Sequence, residues 1–192
     1  MDNSRTAKLT IILGANGTGK TTLLKQILAA SYQRALVVTP DYIEWTEHNE
    51  DGTPRYPETL LDNRNDYVFT GIRRHIYNPK NTLDKISIFK RGILVFDDCR
   101  SYLTATTDQR IRDILIRRRQ RMVDVFCVGH GFNEVPPVFF TFASDLFLFQ
   151  TKDNIDRRRN CINNFDEVKA LKQKIDKEAL INPHTYQHYK FQ

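Results

Sequence analysis

Apolar residues along this chain gather in five short runs. They cover residues 9–13 (Leu-Thr-Ile-Ile-Leu), 36–39 (Leu-Val-Val-Thr), 93–96 (Ile-Leu-Val-Phe), 123–128 (Val-Asp-Val-Phe-Cys-Val) and 146–149 (Leu-Phe-Leu-Phe). Runs this short, nearly continuous rather than alternating, predict strands covered on both faces, as in a parallel sheet. Between them the apolar period changes. Leu23, Leu24, Ile27 and Leu28 recur at helical spacing within 21–30, and Ile111, Ile114, Leu115 and Met122 are the inward positions of a helix running to Arg121 with Thr107 as its N-cap. Residues 166–179 read as a C-terminal helix. Strands alternating with helices predict an α/β fold with a mainly parallel central sheet flanked by helices. Residues 41–66, with Gly52, Pro54 and Pro57, read as a long loop or surface excursion, and 67–89 is mixed.

Composition narrows the class. A chain of 192 residues with 40% hydrophobic and 27% charged residues has a core's worth of apolar side chains for one domain, which argues against a disordered or collagen-like chain. The first apolar run is too short for the roughly 7–15 residue core of a signal peptide. The stretch 135–149 is interrupted by Pro136, Pro137, Ser144 and Asp145, well short of the roughly 18 uninterrupted residues of a membrane span. No membrane span is expected in this chain. Three cysteines, Cys99, Cys127 and Cys161, lack C-x-x-C spacing and leave one unpaired, against a disulfide framework or zinc knuckle.

The net charge of +6 is unevenly spread. Residues 41–66 hold eight acidic residues against two arginines, while Arg110, Arg112, Arg117, Arg118, Arg119 and Arg121 face one aspartate within residues 110–121. A helix this rich in arginine repels itself at i,i+4 spacing. Three uses are open: reaching the γ phosphate of a neighbouring subunit, gripping a nucleic-acid backbone, or a solvated or salt-bridged face, for which the acidic segment could supply partners.

The sharpest motif is Gly14-Ala15-Asn16-Gly17-Thr18-Gly19-Lys20-Thr21, which fits G-x-x-x-x-G-K-[ST] between a predicted strand and a predicted helix. Glycines let successive backbone N–H groups converge on an anion, and the helix N-terminus adds its partial positive charge. Residues 14–21 with Thr22 are therefore the expected nucleotide-binding set. Lys20 is expected on the β and γ phosphates and the Thr21 hydroxyl on Mg²⁺. Asp97 and Asp98, at the end of the run 93–96, complete a Walker B pattern: Asp97 as the second Mg²⁺ partner, Asp98 where many motor ATPases carry a glutamate that polarises the attacking water. A plain Asp-pair turn after a strand competes with that reading. His130, within Gly129-His130-Gly131 at the end of the run 123–128, stands where ligands meet the carboxyl ends of parallel strands and is read as a γ-phosphate sensor; a loop histidine without a role is the alternative.

The order of these segments, with Arg119-Gln120-Arg121-Met122-Val123-Asp124 leading into the strand that ends at His130, resembles the FtsK/HerA superfamily of P-loop ATPases. Within it, the chain is most similar to small viral genome-packaging ATPases and to the related zonula occludens toxin-like phage assembly ATPases. The likeness covers roughly residues 8–150. It departs from the family pattern at Gln120 for a usual His, His130 for a usual Gln and Asp98 for a frequent Glu. The resemblance implies a RecA/FtsK-like P-loop core over 1–165, with 166–192 as a C-terminal helical extension of the same domain. It implies ATP and Mg²⁺ as cofactors, catalytic roles for Lys20, Asp97, Asp98, Arg119 and His130, and a homo-oligomeric ring, hexamer or pentamer, in which Arg119 serves the adjacent site. It further implies DNA and a capsid or portal vertex protein as partners, and a place in the cytoplasm of an infected cell or on the virion. Arg157, Arg158 and Arg159 form a second candidate for the finger or for DNA contact. A filamentous-phage-type assembly ATPase, a small-molecule P-loop kinase and a nucleotide-gated scaffold without turnover are the competing functions.

Overall fold

A computed structural model describes residues 7–31, 33–40, 42–103 and 109–191. Seven strands form one sheet: β1 (Leu9–Leu13), β2 (Ala35–Thr39), β3 (Ile72–Ile76), β4 (Gly92–Phe96), β5 (Val123–Gly129), β6 (Asp145–Phe149) and β7 (Tyr186–Lys190). Their spatial order is β3-β2-β4-β5-β1-β6-β7. Every neighbouring pair is parallel except β6 with β7, in which Phe149 faces Tyr186 and Asp145 faces Lys190. The helices are α1 (Lys20–Ala30), α2 (Thr82–Ser87), α3 (Gln109–Arg121), α4 (Pro137–Phe142) and α5 (Phe165–Glu178). The five strands expected from apolar runs are all present.

Side-chain alternation along those strands builds two cores. Leu9, Ile11 and Leu13 of β1 join Leu115, Phe139 and Val168 on the side covered by α2 to α5. Ile12, Val37 and Val95 join Leu24 and Leu28 of α1 on the other. A strand with apolar residues at both parities fits this two-sided burial and no other.

Several expectations need correction. The acidic segment is not a mere surface excursion, because Trp45 and Tyr56 are buried in the α1-side core and meet edge to face at 5.0 Å between ring centroids. The stretch 67–89 contains β3 and α2, and 137–142 forms α4. Met122 is exposed rather than inward: it lies past the end of α3 with a φ of 55°, which turns its side chain off the buried stripe formed by Ile111, Ile114 and Leu115. Thr107, read as the N-cap of that helix, lies outside the described residues. The segment 166–192 is not helical throughout, since β7 follows α5 and joins the sheet beside β6. Cys99, Cys127 and Cys161 are free thiols, and no helix among the described residues is long and apolar enough to cross a membrane.

Candidate nucleotide-binding site

β1 is flanked by β5 on one side and β6 on the other, so the loop leaving its carboxyl end can be pinned from both. The Gly14 N–H donates to the carbonyl of Gly129, the last residue of β5, at 3.2 Å, and the Ala15 N–H to the Gln150 carbonyl after β6 at 2.7 Å. A Cβ on Gly14 would stand 2.6 Å from the Phe149 Cβ and from the Thr18 hydroxyl, so only glycine fits there. Gly17 and Gly19 have φ of 76° and 100°, the left-handed conformations that let the loop double back before α1 begins at Lys20. Thr18 is buried and its hydroxyl donates to the Ala15 carbonyl at 2.8 Å, so it shapes the loop from within.

Lys20 is also buried. Its ammonium donates to the Ala15 carbonyl at 3.0 Å and approaches His130 Nδ1 at 3.4 Å. Burial holds its pKa below the usual lysine value, opposed by the charges of Asp97 and Asp98. An ammonium can only donate, so its contact with His130 puts the ring proton on Nε2. That nitrogen lies 3.1 Å from Asp98 Oδ1. Ser101 donates to Asp98 Oδ2 at 2.7 Å, and the His130 N–H donates to Glu134 at 3.1 Å. The result is a chain of contacts Lys20–His130–Asp98 joining the phosphate loop to the ends of β4 and β5. The His130 hydrogen bond, first among several influences, holds the Asp98 carboxyl below the usual aspartate range. Asp98 is thus weakly basic, and both of its oxygens are engaged.

Asp97 is different. Only 4% exposed, it is pushed up to about 6 by burial, with the charges of Glu44 and Asp98 adding to the rise. Its Oδ2 accepts the indole N–H of Trp45 at 2.6 Å and its Oδ1 the Asp98 N–H at 3.2 Å. Trp45 reaches it from the acidic segment with a φ of 62°, uncommon for an aromatic residue. Lys25, one turn after Thr21 on α1, lies under that indole at 4.8 Å from the ring centroid and is ion-paired with Glu47. Trp45 is the functional neighbour that sequence spacing did not reveal.

Asn16, Lys20, Thr21, Glu44, Asp97, Asp98, Arg100 and His130 converge on a cleft of about 420 Å³. Arg100, ion-paired with Glu134 at 2.9 Å, adds a positive group that the motifs did not single out. A buried carboxylate whose ionisation is suppressed, beside two further acids, fits a divalent cation. Among the described residues there is no cluster of three or more His, Cys, Asp or Glu able to cage a metal by themselves. Thr21 and Asp97 are the cleft residues that could hold Mg²⁺, a cation that keeps several waters and takes phosphate oxygens.

A family model described as an AAA domain matches residues 6–190. The chain belongs to the AAA domain family. It is a P-loop NTPase. Its structure is similar to the genome packaging NTPase B204 from Sulfolobus turreted icosahedral virus 2 in complex with AMP, with TM-score 0.69 and 14% identity over 96% of this chain and 92% of that one. The same viral NTPase in complex with AMPPCP gives TM-score 0.67 and 16% identity over 96% and 97%. B204 described as the DNA-packaging ATPase from Sulfolobus turreted icosahedral virus gives TM-score 0.61 and 14% identity over 96% and 98%. At such identities the shared feature is the fold. A comparison with curated protein sequences gives no match.

The arginines of this NTPase separate by environment. Arg118, expected among a charged cluster, is buried against the Phe142 ring and donates to the Leu115 carbonyl at 2.7 Å. Arg110 pairs with Asp84 at 3.5 Å. Arg119 is exposed near the end of α3, where the Arg91 N–H donates to the Arg121 carbonyl. That is the edge at which β4 and β5 begin, a strand length of seven residues from His130, or roughly 23 Å. The fold does not bring Arg119 to its own subunit's cleft. Arg158 is spent on the Phe132, Asn133 and Val135 carbonyls, fixing the loop that follows His130. Arg159 stacks on Phe165 and pairs with Asp166.

Proposed function

We propose that this NTPase hydrolyses ATP to drive DNA through an oligomeric ring, packaging a viral genome into a preformed capsid. The observation that carries the proposal is the Lys20–His130–Asp98 chain across one cleft, in a fold shared with viral packaging NTPases. Backbone N–H groups of residues 14–19 and the start of α1 receive the phosphates. Lys20, now turned onto the Ala15 carbonyl, moves onto the β and γ phosphates, and this frees His130 Nδ1. The freed nitrogen faces the phosphate end of the cleft, while Nε2–H remains on Asp98. That is the arrangement of a base and the carboxylate that orients it. The attacking water's proton goes to His130 as the water oxygen bonds to the γ phosphorus and the bond to the bridging oxygen breaks. Thr21 and Asp97 would hold Mg²⁺, which would supply neutralisation of phosphate charge.

Arg119 cannot serve its own cleft, so a catalytic role for it requires a neighbour. Arg112, Ile116 and Arg119 form one exposed stripe on α3 at i, i+4 and i+7, a surface suited to the next subunit of a hexamer or pentamer. DNA and a capsid or portal vertex protein are the proposed partners, and the infected-cell cytoplasm or the virion the proposed site of action. The test is ATP turnover by wild type and Lys20→Ala with and without DNA, alongside solution mass with both present. DNA-stimulated turnover by a ring, abolished in Lys20→Ala, is expected. Phosphate transfer to a small acceptor, or nucleotide binding without turnover in the assembled state, would overturn the motor.

A further inference from the structure

Lys20, His130, Asp97 and Asp98 all lie on the β4–β5 side of β1. They therefore fix the γ end of a bound triphosphate there. A nucleotide threaded through the loop with its γ phosphate at β4–β5 must leave on the opposite side, toward β6 and β7. The C-terminal segment occupies that side. β7 pairs antiparallel with β6, and the turn before it, 182–185, folds back over the start of α1. A Cβ on Gly19 would stand 3.6 Å from His184 Nδ1 and 3.7 Å from Phe149 Cε1. The His184 N–H donates to the Asn182 side-chain oxygen at 3.0 Å, and the Thr185 N–H to the Asn182 carbonyl at 3.1 Å, so the turn is held by its own hydrogen bonds. Phe149 is buried and its ring lies 5.0 Å from that of Tyr186, which is 42% exposed. His184 is exposed as well.

We infer that His184 and Tyr186, backed by Phe149, form the shelf on which the base of the bound nucleoside triphosphate stacks. This deepens the ATP reading and rests on it. Phe149 and Tyr186 on an antiparallel strand pair, and His184 in a hydrogen-bonded turn, are already ordered before ligand arrives, so little conformational entropy remains to be lost on stacking. The shelf also gives the C-terminal segment a task within the site. Loss of an aromatic stacking partner weakens base binding on the order of tenfold.

The test compares ATP with inorganic tripolyphosphate, which carries the phosphates and no base. Affinity for each is measured by calorimetry on the full chain as wild type, His184→Ala, Tyr186→Ala and Tyr186→Phe. The expected result is ATP affinity reduced on the order of tenfold in the two alanine variants, with tripolyphosphate affinity unchanged and Tyr186→Phe close to wild type. Unchanged tripolyphosphate binding also reports that the variants keep a folded phosphate loop. ATP affinity insensitive to both alanine substitutions overturns the shelf and leaves the phosphate-loop reading standing. Equal loss of ATP and tripolyphosphate overturns the shelf in favour of a structural role for the turn. Failure of wild type to bind either ligand overturns the phosphate-loop reading and the shelf with it.

Discussion

Replacing Asp97 by asparagine should abolish turnover and make the nucleotide-free protein more stable at neutral pH. In the folded chain burial pushes this carboxyl up to about 6, against an ordinary aspartate value of 3.8. Between those values the unfolded chain has already released its proton while the folded chain still holds it, so stability falls as pH rises. The loss is absent below the unfolded pKa and complete above the folded one. A difference of about two pH units corresponds to about 3 kcal/mol at 1.36 kcal/mol per unit. The asparagine oxygen can still accept the Trp45 indole N–H, but its amide then opposes the Asp98 N–H that Oδ1 accepts in the wild type. That lost bond costs about 1 kcal/mol. The variant should therefore be about 2 kcal/mol more stable than wild type at pH 8, roughly 4–8 °C in Tm for a chain of this size, and about 1 kcal/mol less stable near pH 3.5. Denaturant unfolding at a series of pH values measures the difference directly. A gap between the two proteins that stays constant over this range refutes the reasoning, because it removes the buried charge as its source. Adding Mg²⁺ and nucleotide should stabilise wild type and leave the variant nearly unmoved, since only the carboxylate gains from the cation.

Three further outcomes follow from the same geometry. Trp45→Phe keeps a ring over Lys25 but removes the donor that favours ionised Asp97, so the acidic limb of the pH–rate profile should move to higher pH; an unmoved limb would separate Trp45 from Asp97 function. His130→Ala should lower turnover by about 10²–10⁴ with nucleotide affinity little changed, and combining it with Asp98→Asn should cost little more than either alone, whereas additive losses would mean two independent roles. Arg119→Ala should reduce turnover while retaining affinity, and mixing it with Lys20→Ala should restore activity, because mixed assemblies contain an intact loop facing an intact arginine; absence of rescue would remove Arg119 from the trans role.

What the sequence disclosed and what it hid divide along burial. β1, β2, β4, β5 and β6 are legible because a strand covered on both faces has almost no polar position to confuse its period. β3 reads Ile-Arg-Arg-His-Ile and β7 reads Tyr-Gln-His-Tyr-Lys, and both are the end strands of the sheet order, β3 covered only by the short bridge of Glu58 to Arg74, where polar side chains are tolerated. Their apolar signal is correspondingly weak. The phosphate loop is local in sequence, so its residues can be named from spacing alone. The contact between Trp45 and Asp97 joins positions 52 residues apart and follows from the packing of one segment across the sheet, which no local pattern encodes. A lone tryptophan inside an otherwise polar, acidic stretch was the available sign.

The arginine-rich helix shows how a charge count misleads until each side chain is placed. Arg118 continues the spacing of Ile111, Ile114 and Leu115, so helical periodicity alone puts it on the buried stripe, where its stem packs as an apolar side chain does. Arg110 is partnered by Asp84 on α2, whereas neutralisation was expected of the acidic 41–66 segment. That segment meets α1 and Asp97 on the other face of the sheet, through Trp45, Tyr56 and the Lys25–Glu47 pair. Of the acidic residues in that segment, Glu44 lines the nucleotide cleft, Glu47 pairs with Lys25 on α1, Glu58 with Arg74 on β3 and Asp62 with Lys85 on α2, while the Arg112–Ile116–Arg119 stripe faces outward. In the ring proposed above, this outward positive stripe on one subunit would face the phosphate cleft of the next, a head-to-tail contact that closes when identical copies complete the circle.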